Sequence, residues 1–309
     1  MKIVTRPKKS WQMDLIFPES MISSSFKHHL EHVLGCPITR FEPVSGGDIS
    51  KAFCIYTATN RFFSKINQSD LAKEMFLTEK LSLDSINQTN TIKAPEVIHL
   101  GQHHDGSYII MEYVESKSPS SKEMEAFGHQ LAAMHKYEIG SSFGREQDNF
   151  IGTLQQSNKK HSDWVQFYVG ERLLPQLRLA RSKELLSSNE IPKEIGLLKG
   201  CERLFPKIKP SLIHGDLWSG NYLINNEGVP FLIDPALYVG HYEVDMSMTQ
   251  LFGGFSSPFY KAYETHFPKE ILHNERKDIY QLYYLLVHLN LFGKSYSQAV
   301  KQLLKIYFN

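Results

Sequence analysis

The 309-residue sequence predicts an α+β chain of two lobes, a small antiparallel-sheet lobe over 1–114 and a mainly helical lobe over 115–309. Three observations predict it. Short runs rich in β-branched and aromatic residues recur between 38 and 114, separated by turn-forming residues. The last of them, Tyr108 to Val114, enters Glu115-Ser116-Lys117-Ser118-Pro119-Ser120-Ser121, a polar segment of the kind that separates domains. Beyond it the apolar period becomes helical, interrupted by one further hairpin over 211–235.

In the first lobe the pattern gives a helix over 20–34 and strands over 38–44, 51–58 and 62–66. A helix over 69–86 follows, then strands over 96–100 and 107–114. Gly46 and Gly47 turn between the first two strands, and backbone amides there can approach phosphate oxygens closely. A Gly-Gly turn alone is a weak signal, and by itself a plain turn accounts for it better. Lys65 lies late in the third strand. Ser69 is a suitable N-cap for the helix, and Met75, Phe76, Glu79, Leu83 and Ile86 share one face of it. Glu79 is thus a carboxylate in an apolar stripe and needs a partner, for which Lys65 is the natural candidate.

In the second lobe Met124, Phe127, Leu131 and Met134 form an amphipathic face, with His135 at the helix end in a packing role. A helix over 162–187 leads to the hairpin. Leu212 and Ile213 end in His214-Gly215-Asp216. Tyr222 to Ile224 and Val229 to Ile233 read as strands about an Asn225-Asn226-Glu227-Gly228 turn. Helices over 244–252, 275–291 and 297–308 close the chain. Gly293-Lys294-Ser295 follows no strand and lacks the first glycine of a phosphate-binding loop.

The hairpin places Asp216, Asn221 and Asp234 at loop ends. Phosphoryl transfer needs a carboxylate to accept a hydroxyl proton, with an amide and a second carboxylate to hold Mg²⁺ on the phosphates. Asp216 followed five residues later by Asn221, with Asp234 one hairpin on, has that spacing. Trp218, between them, offers a flat apolar face and an N–H to a sugar, although core packing is the ordinary role of a tryptophan.

His214-Gly215-Asp216-Leu217-Trp218-Ser219-Gly220-Asn221, then Asp234-Pro235-Ala236 and Gly240-His241-Tyr242-Glu243, resembles the fructosamine (ketosamine) kinase family. That family belongs to the kinase-like phosphotransferases that include aminoglycoside and choline kinases. His-Gly-Asp with a later Asn is common to the whole group, and the Trp-Ser-Gly between them is much narrower. The resemblance covers nearly the whole chain, weakest over the first 30 residues. Met75, Phe76 and Glu79 fit it, as do Leu131, Ala132 and His135, Asp148 to Gly152, Asn158 and Asp163-Trp164. Tyr242 stands where the family usually has arginine.

The resemblance implies a protein-kinase-like fold that uses ATP and Mg²⁺. Asp216 would be the catalytic base, and Asn221 and Asp234 the metal ligands, while Asp245 would accept amides of the catalytic loop and orient Asp216 without joining the chemistry. Lys65 paired with Glu79 would hold the phosphates, and the backbone of Glu112, Tyr113 and Val114 the adenine. It implies phosphorylation of a ketosamine sugar hydroxyl, on a small molecule or a glycated protein amine, in deglycation. Polar residues near Asp148, Asn158 and Trp164 would wall a sugar pocket or simply cap and pack. The enzyme alternative is an aminoglycoside or other small-molecule kinase. The alternative of another class is a nucleotide-binding pseudokinase acting as a scaffold. A protein kinase is disfavoured, because Asp234 is followed by Pro235-Ala236 and no Ala-Pro-Glu follows.

Composition narrows the remaining classes. With 34 basic and 33 acidic residues the net charge is +1, which gives no general attraction to nucleic acid or anionic membrane. No 18-residue apolar run marks a membrane span, and residues 1–7 lack the apolar core of a signal peptide, so a cytoplasmic location is expected. Cys36, Cys54 and Cys201 read as reduced thiols. The histidines, His28-His29 and His103-His104 included, read as surface or core residues rather than a metal site.

Overall fold

A computed structural model describes residues 22–44 and 50–308. Gly46 and Gly47 lie outside the described residues. The chain divides into two units. The first comprises the described part of Met1–Ser118 together with Leu223–Ile233; the second is Pro119–Tyr222 with Asp234–Asn309.

The first unit opens with α1 (Ser24–Leu34), β1 (Ile38–Val44), β2 (Lys51–Thr57) and β3 (Arg61–Asn67). α2 (Ala72–Gln88), β4 (Val97–His103) and β5 (Gly106–Glu112) complete it. The five strands form one antiparallel sheet in the order β1-β2-β3-β5-β4. Ile38, Phe53, Ile55, Ile66, Tyr108 and Ile110 bury one cluster with Phe26 and Leu30 of α1. α1 begins at Ser23, whose hydroxyl accepts the Phe26 N–H at 3.0 Å, and ends at Gly35 in the left-handed conformation. α2 starts three residues later than its pattern suggests. The Asn67 side chain accepts the Ser69 N–H at 2.8 Å, which spends Ser69 in a turn, and no side chain caps the helix.

The second unit is mainly helical. α3 (Ser121–Lys136) starts with a full capping box between Ser120 and Glu123. A short hairpin, β6 (Asn149–Ile151) and β7 (Leu154–Gln156), precedes α4 (Trp164–Phe167). α4 continues as a π segment over Tyr168–Leu173 into α5 (Leu174–Ser182). Pro175, which has no N–H to give the preceding turn, sits just past that segment. The helix stops at Ser182 rather than 187: Glu184 is left-handed (φ 56°), and Leu185 N–H returns to Ala180 O at 2.8 Å.

The rest is α6 (Glu194–Leu204), β8 (Ser211–Ile213), β9 (Tyr222–Ile224), β10 (Pro230–Leu232) and β11 (Tyr238–Gly240). α7 (Glu243–Leu251), α8 (Ser257–Glu264), α9 (His273–Phe292) and α10 (Ser297–Phe308) end the chain. α6, α8, β6, β7 and β11 add to the elements expected from the sequence. The β9–β10 hairpin, assigned to the helical lobe from sequence, clusters with the first unit. Lys117 N–H donates to Ile224 O at 2.9 Å and Leu232 N–H to Lys93 O at 2.8 Å. Among the described residues no helix is long and apolar enough to cross a membrane.

An ion pair buried at the 1% level joins α7 to α9. Arg276 Nε and Nη2 donate to the two Glu243 oxygens at 2.6 and 2.7 Å, Nη1 donates to Ile271 O at 2.7 Å, and His273 Nδ1 lies 3.1 Å from Glu243 Oε1. Burial alone would raise the Glu243 pKa, but Arg276 and His273 outweigh it and hold it at about 2. Burial, partly offset by Glu243, pushes His241 down to about 3, and its Nδ1 lies 2.7 Å from Tyr280 Oη.

Both depressed values carry the same sign. Each group binds fewer protons folded than unfolded, so its stability is present above the unfolded pKa and lost as pH falls through the folded one. For His241 the window runs from 6.5 down to about 3, and for Glu243 from 4.5 down to about 2. Urea unfolding across pH 7 to 2 should show stability falling through both windows. Arg276→Met should cost about 3–5 kcal/mol at pH 7, since it leaves a buried carboxylate unpaired. A variant as stable as wild type would remove the pair from the supports of this unit.

Candidate active site

β8 and β11 pair antiparallel, with Ile213 opposite Tyr238 and Ser211 opposite Gly240. In an antiparallel ladder the C-terminal end of one strand lies beside the N-terminal end of the other. Asp216, three residues past β8, and Asp234, four residues before β11, therefore leave the same end of the ladder. Gly215 fixes how closely the two segments approach. Its φ is +82°, and a Cβ there would lie 2.1 Å from Ala236 O.

Asp245, on α7 and fully buried, organises the loop that carries Asp216. Its Oδ2 accepts His214 N–H at 2.7 Å and its Oδ1 accepts Gly215 N–H at 2.8 Å. His135 Nε2 lies 3.1 Å from Oδ2, and His135 Nδ1 lies 2.6 Å from Tyr263 Oη. Tyr284 Oη donates to Gly215 O at 2.7 Å. The loop backbone is thus clamped on both sides, while the Asp216 side chain is left half-buried. His135, read from the sequence as packing, is a hydrogen-bonding support of Asp245; its place in the Leu-Ala-x-x-His pattern was the only signal.

Asn221 is 4% exposed, and its Nδ2 donates to Asp216 O at 2.8 Å and Asp216 Oδ2 at 3.2 Å. Only the amide nitrogen can donate, so the amide oxygen is the atom left to face a cation. Asp234 is exposed and left-handed (φ 53°), a conformation Asp tolerates better than most residues. One amide oxygen and an exposed carboxylate make an oxygen donor set of the kind Mg²⁺ takes, with water and phosphate supplying the remainder.

The backbone after Asp234 rests on buried polar groups. Asn149 Nδ2 donates to Leu237 O at 2.9 Å, and Gln156 Nε2 donates to Asn149 Oδ1 at 2.8 Å and Ala236 O at 3.4 Å. Asn158 Nδ2 donates to Asn149 Oδ1 at 2.9 Å, and Arg172 Nη2 to Asn158 Oδ1 at 2.7 Å. Tyr283 Oη donates to Gln156 Oε1 at 2.6 Å. Asn149 and Asn158 are therefore the underside of the Asp234 loop rather than a sugar-pocket wall. Trp164 is core as well: it is 3% exposed and its indole N–H donates to Tyr280 Oη at 3.0 Å.

Trp218 is half-buried against the core of the second unit. Its ring lies over Gly220, where a Cβ would meet it at 2.3 Å. Tyr242, in the position where the family pattern has arginine, packs its ring 4.2 Å from that of Phe267.

In the first unit Lys65 Nζ lies 2.7 Å from Glu79 Oε1, each side chain 14% exposed. β3 presents the lysine, opposite Ile109 of β5, and α2 presents the glutamate. Glu112 ends β5, and its N–H donates to Glu96 O at 2.8 Å. Tyr113 follows, with the Arg61 guanidinium 4.8 Å from its ring centre, and Val114 is half-buried.

Gly215→Ala tests the approach of the two acidic segments. The left-handed φ alone costs an L-residue about 1–2 kcal/mol, and the Cβ forces Ala236 away. Activity should fall at least about tenfold, the equivalent of 1.4 kcal/mol at the barrier, while far-ultraviolet circular dichroism stays at the wild-type level. Undiminished activity would show that this spacing is immaterial.

The comparisons with known proteins agree with this architecture. The fructosamine kinase family model matches residues 22–309. A protein-ribulosamine 3-kinase of Arabidopsis thaliana chloroplasts is 38% identical over 274 residues, 87% of this chain and 83% of that protein. The crystal structure of a candidate fructosamine-3-kinase from Haemophilus somnus 129PT superposes with a TM-score of 0.82 at 26% identity, covering 92% of this chain and 96% of that one. An aminoglycoside phosphotransferase, at 15% identity and TM-score 0.58 over 90% and 96% of the two chains, shares the protein-kinase-like fold alone. With the family model spanning nearly all of it, this chain belongs to the fructosamine kinase family.

Proposed function

We propose that this protein transfers the γ-phosphoryl group of ATP to a sugar hydroxyl of a ketosamine, of the fructosamine or ribulosamine type. The observation that carries the proposal is the Asp216–Asn221 loop, clamped by Asp245 at the same ladder end as Asp234, in a chain of this family. The acceptor hydroxyl loses its proton to Asp216 as its oxygen forms the new bond to phosphorus. The bond from phosphorus to the bridging β–γ oxygen breaks, and ADP leaves with that oxygen. The clamp is formed before substrate arrives, so little reorganisation is needed at the barrier.

Asn221 and Asp234 would hold Mg²⁺, which neutralises charge on the phosphate oxygens when bound. Lys65, oriented by Glu79, would bind phosphate oxygens, and the backbone of Glu112, Tyr113 and Val114 would bind adenine. Trp218 would set the sugar against Asp216. A ketosamine on a protein amine suits this chemistry as well as a free one, with deglycation as the outcome. The three cysteines are unpaired, in keeping with a reducing, cytoplasmic setting for an ATP-dependent enzyme.

Two variants test the assignment of roles. Asp216→Asn should nearly abolish turnover and leave ATP affinity close to wild type, since the base acts in the transition state. Asp234→Ala should raise the Mg²⁺ requirement and cost about 3–4 kcal/mol at the barrier. Near-normal kcat in the first, or an unchanged Mg²⁺ dependence in the second, would remove that residue from the chemistry.

The substrate is tested by phosphate transfer from ATP to a panel of fructosamines, ribulosamines, aminoglycosides and choline, with ketosamines expected to lead by at least about tenfold in kcat/KM. Trp218→Ala should raise KM for the ketosamine and lower kcat through misplacement, with ATP affinity retained. A lead for aminoglycosides would overturn the substrate class. A Trp218 variant that merely melts early, by about 3–5 kcal/mol, would make the indole core packing.

A further inference from the structure

The first unit holds a cluster of ring nitrogens and a carboxylate that the phosphotransfer chemistry does not use. We propose that the β4–β5 turn is a binding site for a divalent transition metal of the Zn²⁺ class, with His103 Nδ1, His104 Nε2 and the Asp105 carboxylate as ligands. Among the described residues these three offer ligand atoms within 4.8 Å of one another.

The dimensions suit the ion. His103 Nδ1 lies 3.4 Å from Asp105 Oδ2, and His104 Nε2 lies 3.6 Å from Asp105 Oδ1. A tetrahedral ion with bonds of about 2.0–2.1 Å separates its ligands by about 3.3–3.4 Å. The two contacts run to the two different oxygens of one carboxylate, so one edge, His103 Nδ1 to Asp105 Oδ2, is nearly formed. The His104 side chain is 64% exposed and can bring Nε2 to the same ion by turning about its side-chain torsions. Two imidazoles and one carboxylate with an open position are a Zn²⁺ donor set, and imidazole excludes Mg²⁺ and Ca²⁺ as the preferred occupants.

Two of the three ligands are already held in place. His103 is 10% exposed at its side chain, and its ring packs among Phe26 and His29, at 5.2 and 5.1 Å between centres. Asp105 N–H donates to His103 Nδ1 at a long 3.3 Å. In that contact the nitrogen is an acceptor, the role a metal ligand has, and a metal would displace only a weak contact. The other nitrogen, Nε2, faces Ser25 Oγ at 3.3 Å, the outer partner a metal-bound imidazole usually has. The Ser23 hydroxyl donates to Asp105 Oδ2 while it caps α1, so the carboxylate is tied to the helix start. His29 takes no part, because its Nε2 already lies 2.7 Å from Tyr108 Oη.

The site lies at the opposite end of β5 from Glu112. Seven residues of strand place it about 20 Å away from that end. Its expected effect is on the stability of the first unit, because an ion held by the folded turn favours the folded state by mass action, and not on phosphotransfer itself.

The full chain without a polyhistidine tag, stripped with EDTA and dialysed, tests this. Zn²⁺ is titrated calorimetrically, and Co²⁺ by visible absorption, both in excess Mg²⁺ to occupy oxygen sites. Wild type should bind one equivalent, show the absorption of low-coordinate Co²⁺, and melt higher with Zn²⁺ than in EDTA. His104→Ala removes an exposed ligand and should melt like wild type in EDTA. It should bind Zn²⁺ at least roughly tenfold more weakly and lose the Zn²⁺-dependent rise in Tm. Asp105→Asn, which keeps the size of the side chain, should behave alike. No stoichiometric binding by wild type, or equal binding by wild type and His104→Ala, would overturn the site and leave the histidines as surface groups.

Discussion

Two backbone amides on one buried carboxylate hold the loop that carries Asp216. Asp245 has no exposed surface and accepts the N–H groups of His214 and Gly215. Buried amides left unpaired would cost about 1–3 kcal/mol each, and a buried carboxylate without donors considerably more. Each side of the contact therefore requires the other. The loop has one low-energy position, and Asp216 is the next residue along.

That position is only as firm as α7, which carries Asp245. The helix is fixed at its first turn by Glu243, paired in bidentate fashion with Arg276 of α9. His135 of α3 braces the Asp245 carboxylate from a third helix and is itself braced by Tyr263 of α8. Four helices thus support, directly or through α7, a carboxylate with no exposed surface. The Asp234 side has its own foundation in Asn149, Gln156 and Asn158, with Arg172 beneath them. Such polar networks trade desolvation for directed bonds, and these bonds tie both loops to fixed partners.

Much of this was legible in the sequence, and what was missed has physical causes. Strands β1 to β5 announced themselves by β-branched and aromatic runs between turns, and the closing helices by apolar faces. α6 was overlooked because Gly196 and Gly200 break its helical propensity, although Leu197 and Cys201 are buried on it. β11 is three residues long, too short for a period to register, yet it sets the distance between Asp216 and Asp234. Ser69 looked like a cap until Asn67, two residues earlier, took its N–H. The polar residues of 148–158 gave no sign of whether they faced a ligand or the interior, since Asn and Gln serve both.

The sequence by itself determined the chemistry: which residue types recur at which spacing along one continuous loop, and hence phosphotransfer and the family. Spacing along a chain is enough there because Asp216, Trp218 and Asn221 are near neighbours whose geometry is local. The kinase-like resemblance implied Asp245 as the acceptor of the loop amides, and tertiary structure decided the other residues that support them. Asp245 reaches His214 across 31 positions, Asn149 reaches Leu237 across 88 and His135 reaches Asp245 across 110. Contacts over such separations are set by how helices pack, and packing leaves no period in the sequence. The same holds for His103, His104 and Asp105. Their adjacency was visible in the sequence, where the histidines read as surface or core residues, but the bend of the β4–β5 turn brings a nitrogen or oxygen of each within 4.8 Å of the others.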